Sequence, residues 1–359
     1  MRLALANANY RKNDTRGRNA HIGQFISQAV GMGHEVWAWP ENDHSLVRHL
    51  PENRVKRLKA LRRMDALYIR LQEHAPGVVR YSAFPFRQLL NSPVIAWEFN
   101  TVPEFHNVMG RTKEHTERSI QAFRRYGRGC DLAICVSRPL AEYVRERLEI
   151  DSVRVVPNGS DPSLFYPDVE RIQLDEEEGG HLNVVWIGSA ELSWHNTRLM
   201  KDAAQLLKER DSENRIRFHV IGRDADFMSE MPNNVRYHGE KAYEVLPRWL
   251  AAMDVGLCLY HHGPADYNSP LKLFDYMASG LAVVGTPQPQ IREVFDQLDQ
   301  LDLIVPADEP EALVDILMGL SNDRERVRQL GRAARQLVIE FYNWDRATRD
   351  ILAGIQLKL

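Results

Sequence analysis

The 359-residue chain has little from which to build covalent or metal cross-links. Its three cysteines, Cys130, Cys135 and Cys258, are too few and too scattered for a disulfide framework or a four-thiolate zinc site. No HExxH pattern occurs, and the adjacent pair His261-His262 reads as cleft-edge residues rather than as metal ligands. No stretch approaches the roughly eighteen consecutive apolar residues of a membrane span. The N-terminus, MRLALANANYRKND, turns polar too soon for a secretory leader. No GxGxxG follows the first strand of either half, which disfavours a dinucleotide dehydrogenase, and no repeat of solenoid period is present. These absences point to a soluble, cytoplasmic protein of about two domains.

What is present is unevenly charged. Residues 1–165 carry 25 Lys and Arg against 17 Asp and Glu, and the remainder 21 against 32, so a net charge of −3 conceals a basic half and an acidic half. Such a split suggests that the halves meet different partners, the basic one an anionic ligand or a membrane surface.

Short Val- and Ile-rich runs alternate with helical patterns throughout. In the first half they cover residues 2–8, 35–39, 66–70, 94–99, 132–136 and 154–156; in the second, 184–187, 217–221, 235–237, 255–260, 282–285 and 301–305. Near-continuous apolar strands separated by helical segments indicate parallel sheets in βα units, and two sets of six indicate two doubly wound α/β domains. The Asn158-Gly159 turn signal and the acidic stretch 175–180 place the boundary between residues 160 and 182. The expected domains are 1–165 and 166–340, followed by a terminal helix over 341–359.

The most informative segment is Asn268-Ser269-Pro270-Leu271-Lys272-Leu273-Phe274-Asp275-Tyr276-Met277-Ala278-Ser279-Gly280. Ser269 followed by Pro270 reads as a helix start, with Ser269 as the cap and Pro270 in the first position, and Gly280 as a left-handed stop. The helix follows a strand, so its N-terminus falls on the carboxyl edge of the sheet, where doubly wound folds bind ligands. Free N–H groups, the helix dipole and Lys272 would attract an anion there, with Asp275 one turn deeper for hydroxyl groups. The same pattern also fits a capped, half-buried helix with a surface Lys and Asp. Gly188-Ser189, Gly222-Arg223 and Gly239 end neighbouring strands on the same edge, where glycine lets a ligand approach the backbone.

These residues, with 131–137 (DLAICVS), 155–165 (VVPNGSDPSLF), 185–189 (VWIGS), 218–222 (FHVIG) and above all 269–286 (SPLKLFDYMASGLAVVGT), resemble the GT-B glycosyltransferases of the family 4, or group 1, kind. The resemblance is dense over the second half and looser over the first. It implies two facing Rossmann-like domains and transfer of a sugar from a nucleotide-diphosphate sugar, with retention at the anomeric carbon and without an obligate metal. It also implies that the last segment, 341–359, crosses back to the N-terminal domain. Carried over position by position, Leu271 and Lys272 would hold the diphosphate beside Ser269 and Pro270. Asp275 would take the ribose, and Gly239, Tyr243 and Leu246 would line the base. Gly188, Ser189, Asn196 and Arg223 would complete the donor site, and Lys272 and Asp275 would serve catalysis. The sequence departs from the family pattern at two places. The family's paired glutamates are Tyr267 and Asp275 here, and the basic pair expected after the first strand of the second domain is absent from 189–196, where His195 stands instead. Arg198, Lys201, Arg223 or Lys272 could substitute.

In the first half, Arg11, Lys12, Arg16 and Arg18 surround Gly17 at a helix N-terminus. They suit either the donor diphosphate, through Gly17 and Arg18, or an anionic acceptor, through Arg11, Lys12 and Arg16; a solvated loop is the simpler alternative. Glu98 ends a strand as a candidate sugar-binding or acid–base carboxylate, with Asn100 beside it for the acceptor and His106 as the nearest downstream histidine. A buried structural Glu98 fits equally. Residues 54–63 hold six basic side chains with Val55, Leu58 and Leu61 at helical spacing, a pattern for peripheral contact with anionic lipid or for an ordinary solvated helix. Aromatic residues are not interleaved with the cations, so nucleic acid is disfavoured. Besides a transferase acting on a glycan or lipid-linked acceptor, two readings stay open: an inactive relative serving as a partner-binding subunit, and an epimerase or phosphorylase on the same fold.

Overall fold

The computed structural model describes residues 1–12, 17–39, 42–71, 80–82, 92–105, 110, 112–174, 180–223 and 231–359, with the side chains of Gly17, Arg18, Tyr81 and Pro264 outside that description. The chain forms two compact units. One comprises Met1–Asn158, Tyr267–Ser269 and Trp344–Leu359; the other comprises Gly159–Asp266 and Pro270–Asn343.

In the first unit, β1 (Arg2–Ala6), β2 (Glu35–Trp39), β3 (Arg48–His49), β4 (Ala66–Leu71), β5 (Val94–Phe99), β6 (Leu132–Cys135) and β7 (Val153–Val155) pair in parallel in the order β3-β2-β1-β4-β5-β6-β7. Helices α1 (Gly17–Gly31), α2 (Arg54–Leu61), α3 (Lys113–Gly127) and α4 (Arg138–Leu148) flank them. Strands β4 and β5 are buried along their whole length, as strands covered on both faces must be. The order reverses between β1 and β4, which opens a crevice at their carboxyl ends.

In the second unit, β8 (Leu182–Ser189), β9 (Ile216–Arg223), β10 (Val235–Tyr237), β11 (Val255–Cys258) and β12 (Ala282–Gly285) pair in parallel in the order β10-β9-β8-β11-β12, so the reversal lies between β8 and β11. Its helices are α5 (Thr197–Arg210), α6 (Leu246–Leu250), α7 (Leu271–Ala278), α8 (Pro289–Gln297), α9 (Pro310–Asn322) and α10 (Arg324–Phe341). Apolar cores lie on both faces of this sheet, one built on Phe274, Tyr276 and Phe295 and the other on Trp186 and Phe218. The terminal helix α11 (Trp344–Gln356) belongs to the first unit, where the absent side chain of Gly354 lets it close on β6: a Cβ there would stand 2.9 Å from Leu132.

Three expectations are corrected. Residues 301–305 form a short 3₁₀ turn (Leu301–Leu303) and a single bridge from Ile304 to Gly285, not a strand. Asn158-Gly159 takes no positive φ. Asn158 is buried and bonded to Ser269, and Gly159 needs its bareness because a Cβ would sit 2.7 Å from the Tyr342 carbonyl oxygen. The units divide at 158/159 rather than at 165/166, since Ser160 bridges Asn343 and Phe165 is fully buried in the second unit's core.

Candidate functional site

Helix α7 is held rigidly against the sheet. Gly256 of β11 leaves room for the Tyr276 ring, which a Cβ would meet at 2.3 Å, and the Tyr276 hydroxyl accepts from the Ile187 N–H of β8 at 2.7 Å. The helix ends at Gly280, whose φ of +78° only glycine adopts freely, and Arg335 donates to the Ala278 carbonyl. At the other end no side chain caps α7. Pro270 stands at the N-cap rather than in the first helical position, and Ser269 is drawn away: its Oγ accepts from Asn158 N–H at 3.1 Å and its carbonyl from Asn158 Nδ2 at 2.7 Å. The uncapped end therefore presents N–H groups at the carboxyl edge, beside the β8/β11 reversal.

The Lys272 ammonium sits at that end, 3.4 Å from His195 Nε2, 4.6 Å from the centre of the Trp186 ring and 5.3 Å from that of Tyr260. No carboxylate pairs with it among the described residues. Burial lowers its pKa to about 8. Gly188 makes the space, since a Cβ there would lie 3.0 Å from Nζ and 2.8 Å from Trp186. Opposite Gly188 in the register, Gly222 admits no side chain because a Cβ would collide with the Gly188 carbonyl oxygen.

One turn into α7, Asp275 is buried, accepts from Ser160 Oγ at 2.6 Å and lies 3.5 Å from the Tyr243 hydroxyl. Burial raises its pKa to about 7 against the opposing effect of those two hydroxyls. The result is a cationic mouth backed by a carboxyl group that is half protonated near neutrality.

The first unit has a different polar cluster. Glu98, at the end of β5, is 2% exposed and lies 3.2 Å from Arg70 and 3.0 Å from His21, while Asn100 donates to it at 3.0 Å. Burial resists its ionisation, but Arg70 and then His21 outweigh that and hold the carboxyl well below the usual range. Glu98 is therefore a fixed anion and not a general acid. Arg70 also donates to Asn100 at 3.3 Å, and the His21 ring packs 4.9 Å from Trp344. Asn19 clasps the loop after β1 by two bonds to the Arg11 backbone.

Residues 198–353 match the family described as Glycosyl transferase-like, and residues 16–164 match Glycosyltransferase Family 4. Glycosyltransferase family models thus match both halves of the chain, and its fold is that of the GT-B glycosyltransferases. No curated protein matches it in sequence. Its fold is similar to that of sucrose-phosphate synthase from Thermosynechococcus elongatus (TM-score 0.72, 16% identity, 99% of this chain and 98% of that one). It is similar also to Anabaena HepE in complex with UDP and glucose (0.72, 13%, 99% and 100%). A third similar structure is WaaG, a glycosyltransferase involved in lipopolysaccharide biosynthesis (0.66, 12%, 98% and 98%).

Leu271, Lys272, Asp275, Tyr243, Gly188 and Ser189 fall together on one edge of the second sheet, and Gly239 ends the neighbouring loop with a φ of +70°. Other candidates are committed elsewhere. Asn196 caps α5 through Leu199 N–H at 3.1 Å and donates to the Ala307 carbonyl. Arg223 is exposed and paired with Glu240 at 2.9 Å, and Leu246 is buried in the apolar core. Tyr267 belongs to the first unit, where its ring packs against Tyr143. Arg11 is exposed and paired with Asp43 at 3.2 Å, and Lys12 is exposed. Gly17 opens α1; Arg16 and His106, like the Arg18 side chain, lie outside the described residues. After β8, where paired cations were sought, His195 lies 3.4 Å from Lys272 Nζ, and Arg198 is exposed and paired with Asp202. Sequence reasoning missed Ser160, Arg70 and His21 as partners; only the position of Arg70 near a strand end could have signalled it.

Asp275 supplies a pH test. Its carboxyl titrates near 7 when folded and near about 3.9 when unfolded. Between those values the folded state keeps a proton the unfolded state has lost. Stability therefore falls as pH rises from about 4 to about 7, by roughly 1 kcal/mol per unit. In thermal unfolding, Asp275→Asn should match wild type near pH 4 and exceed it at pH 8. An Asn variant no more stable at pH 8 would contradict the desolvation of this carboxyl.

Proposed function

We propose that the chain transfers a sugar from a nucleoside-diphosphate sugar to a hydroxyl of a glycan or lipid-linked acceptor, with retention and without a resident metal. The observation that carries this reading is the Lys272 ammonium at the uncapped start of α7, paired with no carboxylate among the described residues. As the bond from the anomeric carbon to the diphosphate breaks, negative charge grows on the leaving phosphate. Helix N–H groups and one desolvated ammonium oppose that charge without reorganising. The acceptor oxygen then bonds to the anomeric carbon and gives up its proton to the departing diphosphate. Asp275 and Tyr243 suit the ribose hydroxyls. HepE, of similar fold, is known both with UDP and glucose and with UDP-glucose, which makes UDP the first nucleotide to try.

A thermal-shift panel of UDP, GDP, ADP and CMP tests this. One diphosphate at about 100 times its dissociation constant should add about 2.7 kcal/mol of stability. Lys272→Ala should abolish that shift while unfolding as a folded protein does. No shift with any nucleotide would favour the inactive partner-binding subunit, a reading in keeping with Tyr267 and with the engagement of Arg223 by Glu240.

For the acceptor side we propose that the protein works in the cytoplasm and that α2 rests on anionic lipid. Arg54, Lys56, Lys59, Arg62 and Arg63 are exposed with Val55, while Leu61 is buried and Arg57 turns inward over the Trp39 ring at 3.9 Å. Each exposed cation gains roughly 1 kcal/mol near such a surface. The protein should co-sediment with phosphatidylserine vesicles and be released by about 0.5 M salt. Equal binding to vesicles of phosphatidylcholine alone would contradict this.

A further inference from the structure

His195 is fixed from two sides. Residues 195 and 260 form an antiparallel bridge, Asn196 N–H donates to the Leu259 carbonyl at 3.1 Å, and His261 N–H donates to the Trp194 carbonyl at 3.0 Å. The loop after β8 is thereby sewn to the loop after β11, across the strand-order reversal. His195 Nδ1 lies 2.9 Å from the Ser189 carbonyl oxygen, which can only accept. Nδ1 therefore carries the ring proton and Nε2 turns its lone pair to Lys272 Nζ, 3.4 Å away.

An ammonium has three donors and no acceptor. One is taken by His195, while the Trp186 and Tyr260 rings cover two further sides as weak acceptors. We propose that His195 is the positioning residue of the donor site: its Nε2 holds the Lys272 ammonium at the mouth of α7, so that one lysine on a neutral imidazole supplies the side-chain charge facing a bound diphosphate. The proposal rests on the donor-site reading above. The surroundings suit it. Burial and the Lys272 charge keep His195 well below its ordinary pKa, so it does not become a rival cation. The other titratable groups that face Lys272, Cys258 of β11 and Tyr260 just beyond it, are held uncharged by burial, Cys258 being pushed up to about 12.

Calorimetric titration with UDP, GDP and ADP tests the role. For whichever of them binds wild type, His195→Ala should weaken binding about tenfold, the worth of one hydrogen bond to a charged group. His195→Leu, which keeps apolar bulk without the acceptor, should do the same should the alanine variant fold poorly. His195→Gln can donate to Ser189 and accept from Lys272, and should restore affinity to within about threefold. Wild-type affinity should hold to about pH 8 and then fall by up to about tenfold per unit as Lys272 loses its proton. Wild-type affinity in the Ala and Leu variants, or failure of Gln to rescue, would each overturn the role of His195 while leaving the donor site standing; a flat profile to pH 9.5 would overturn the part given to the Lys272 charge and with it both readings. Absence of diphosphate binding by wild type would overturn both.

Discussion

Holding an ammonium against two aromatic faces, with a neutral imidazole as its partner and no carboxylate paired with it among the described residues, is costly unless an anion comes to share the site. The construction around Lys272 shows how that cost is sustained. Gly188 and Gly256 are bare so that the cation and Tyr276 can lie close to the sheet, and Tyr276 ties α7 to β8. Arg335 and Gly280 settle the far end of the helix, while its near end is left uncapped because Ser269 bonds to Asn158 instead. Rigid support at one end and unsatisfied donors at the other are what a preorganised anion site requires.

Asp275 carries the same logic with opposite sign. A buried carboxyl that resists ionisation weakens the fold near neutral pH, and Ser160 and Tyr243 only partly relieve it. Glu98 in the other unit marks the contrast. It is as deeply buried, yet Arg70, His21 and Asn100 surround it and keep it ionised. The second unit thus holds a cation and a carboxyl without an opposite charge paired to them among the described residues, and the first holds charge already neutralised, which fits Glu98 as a brace between β4, β5 and α1.

Much of this was legible from residue patterns. Eleven of the twelve apolar runs place strands in order because buried parallel strands need continuous apolar stretches, and 269–280 announces a helix on a ligand-binding edge. β3 was invisible because two residues carry no period, and 301–305 misled because a short apolar run serves a buried 3₁₀ turn as well as a strand. Ser269 has the chemistry of a cap, but a partner 111 positions away claims it. His195 stood out only as the lone cation-forming residue of its stretch, and its bond to a lysine 77 positions on is set by the crossing of two strand-end loops. Glu98 likewise depends on Arg70, 28 positions earlier, so its identity as a fixed ion rather than an acid is a property of tertiary structure.

On the proposed reading, α7 grips a diphosphate through its first N–H groups and Lys272. Amide hydrogen exchange, read on peptides spanning 269–275 with and without the nucleoside diphosphate that binds, tests it most directly. Slowed exchange at Leu271 and Lys272 with the diphosphate, but not with the corresponding nucleoside, is the expected result. Unchanged exchange there, with protection appearing only elsewhere in the chain, would contradict it.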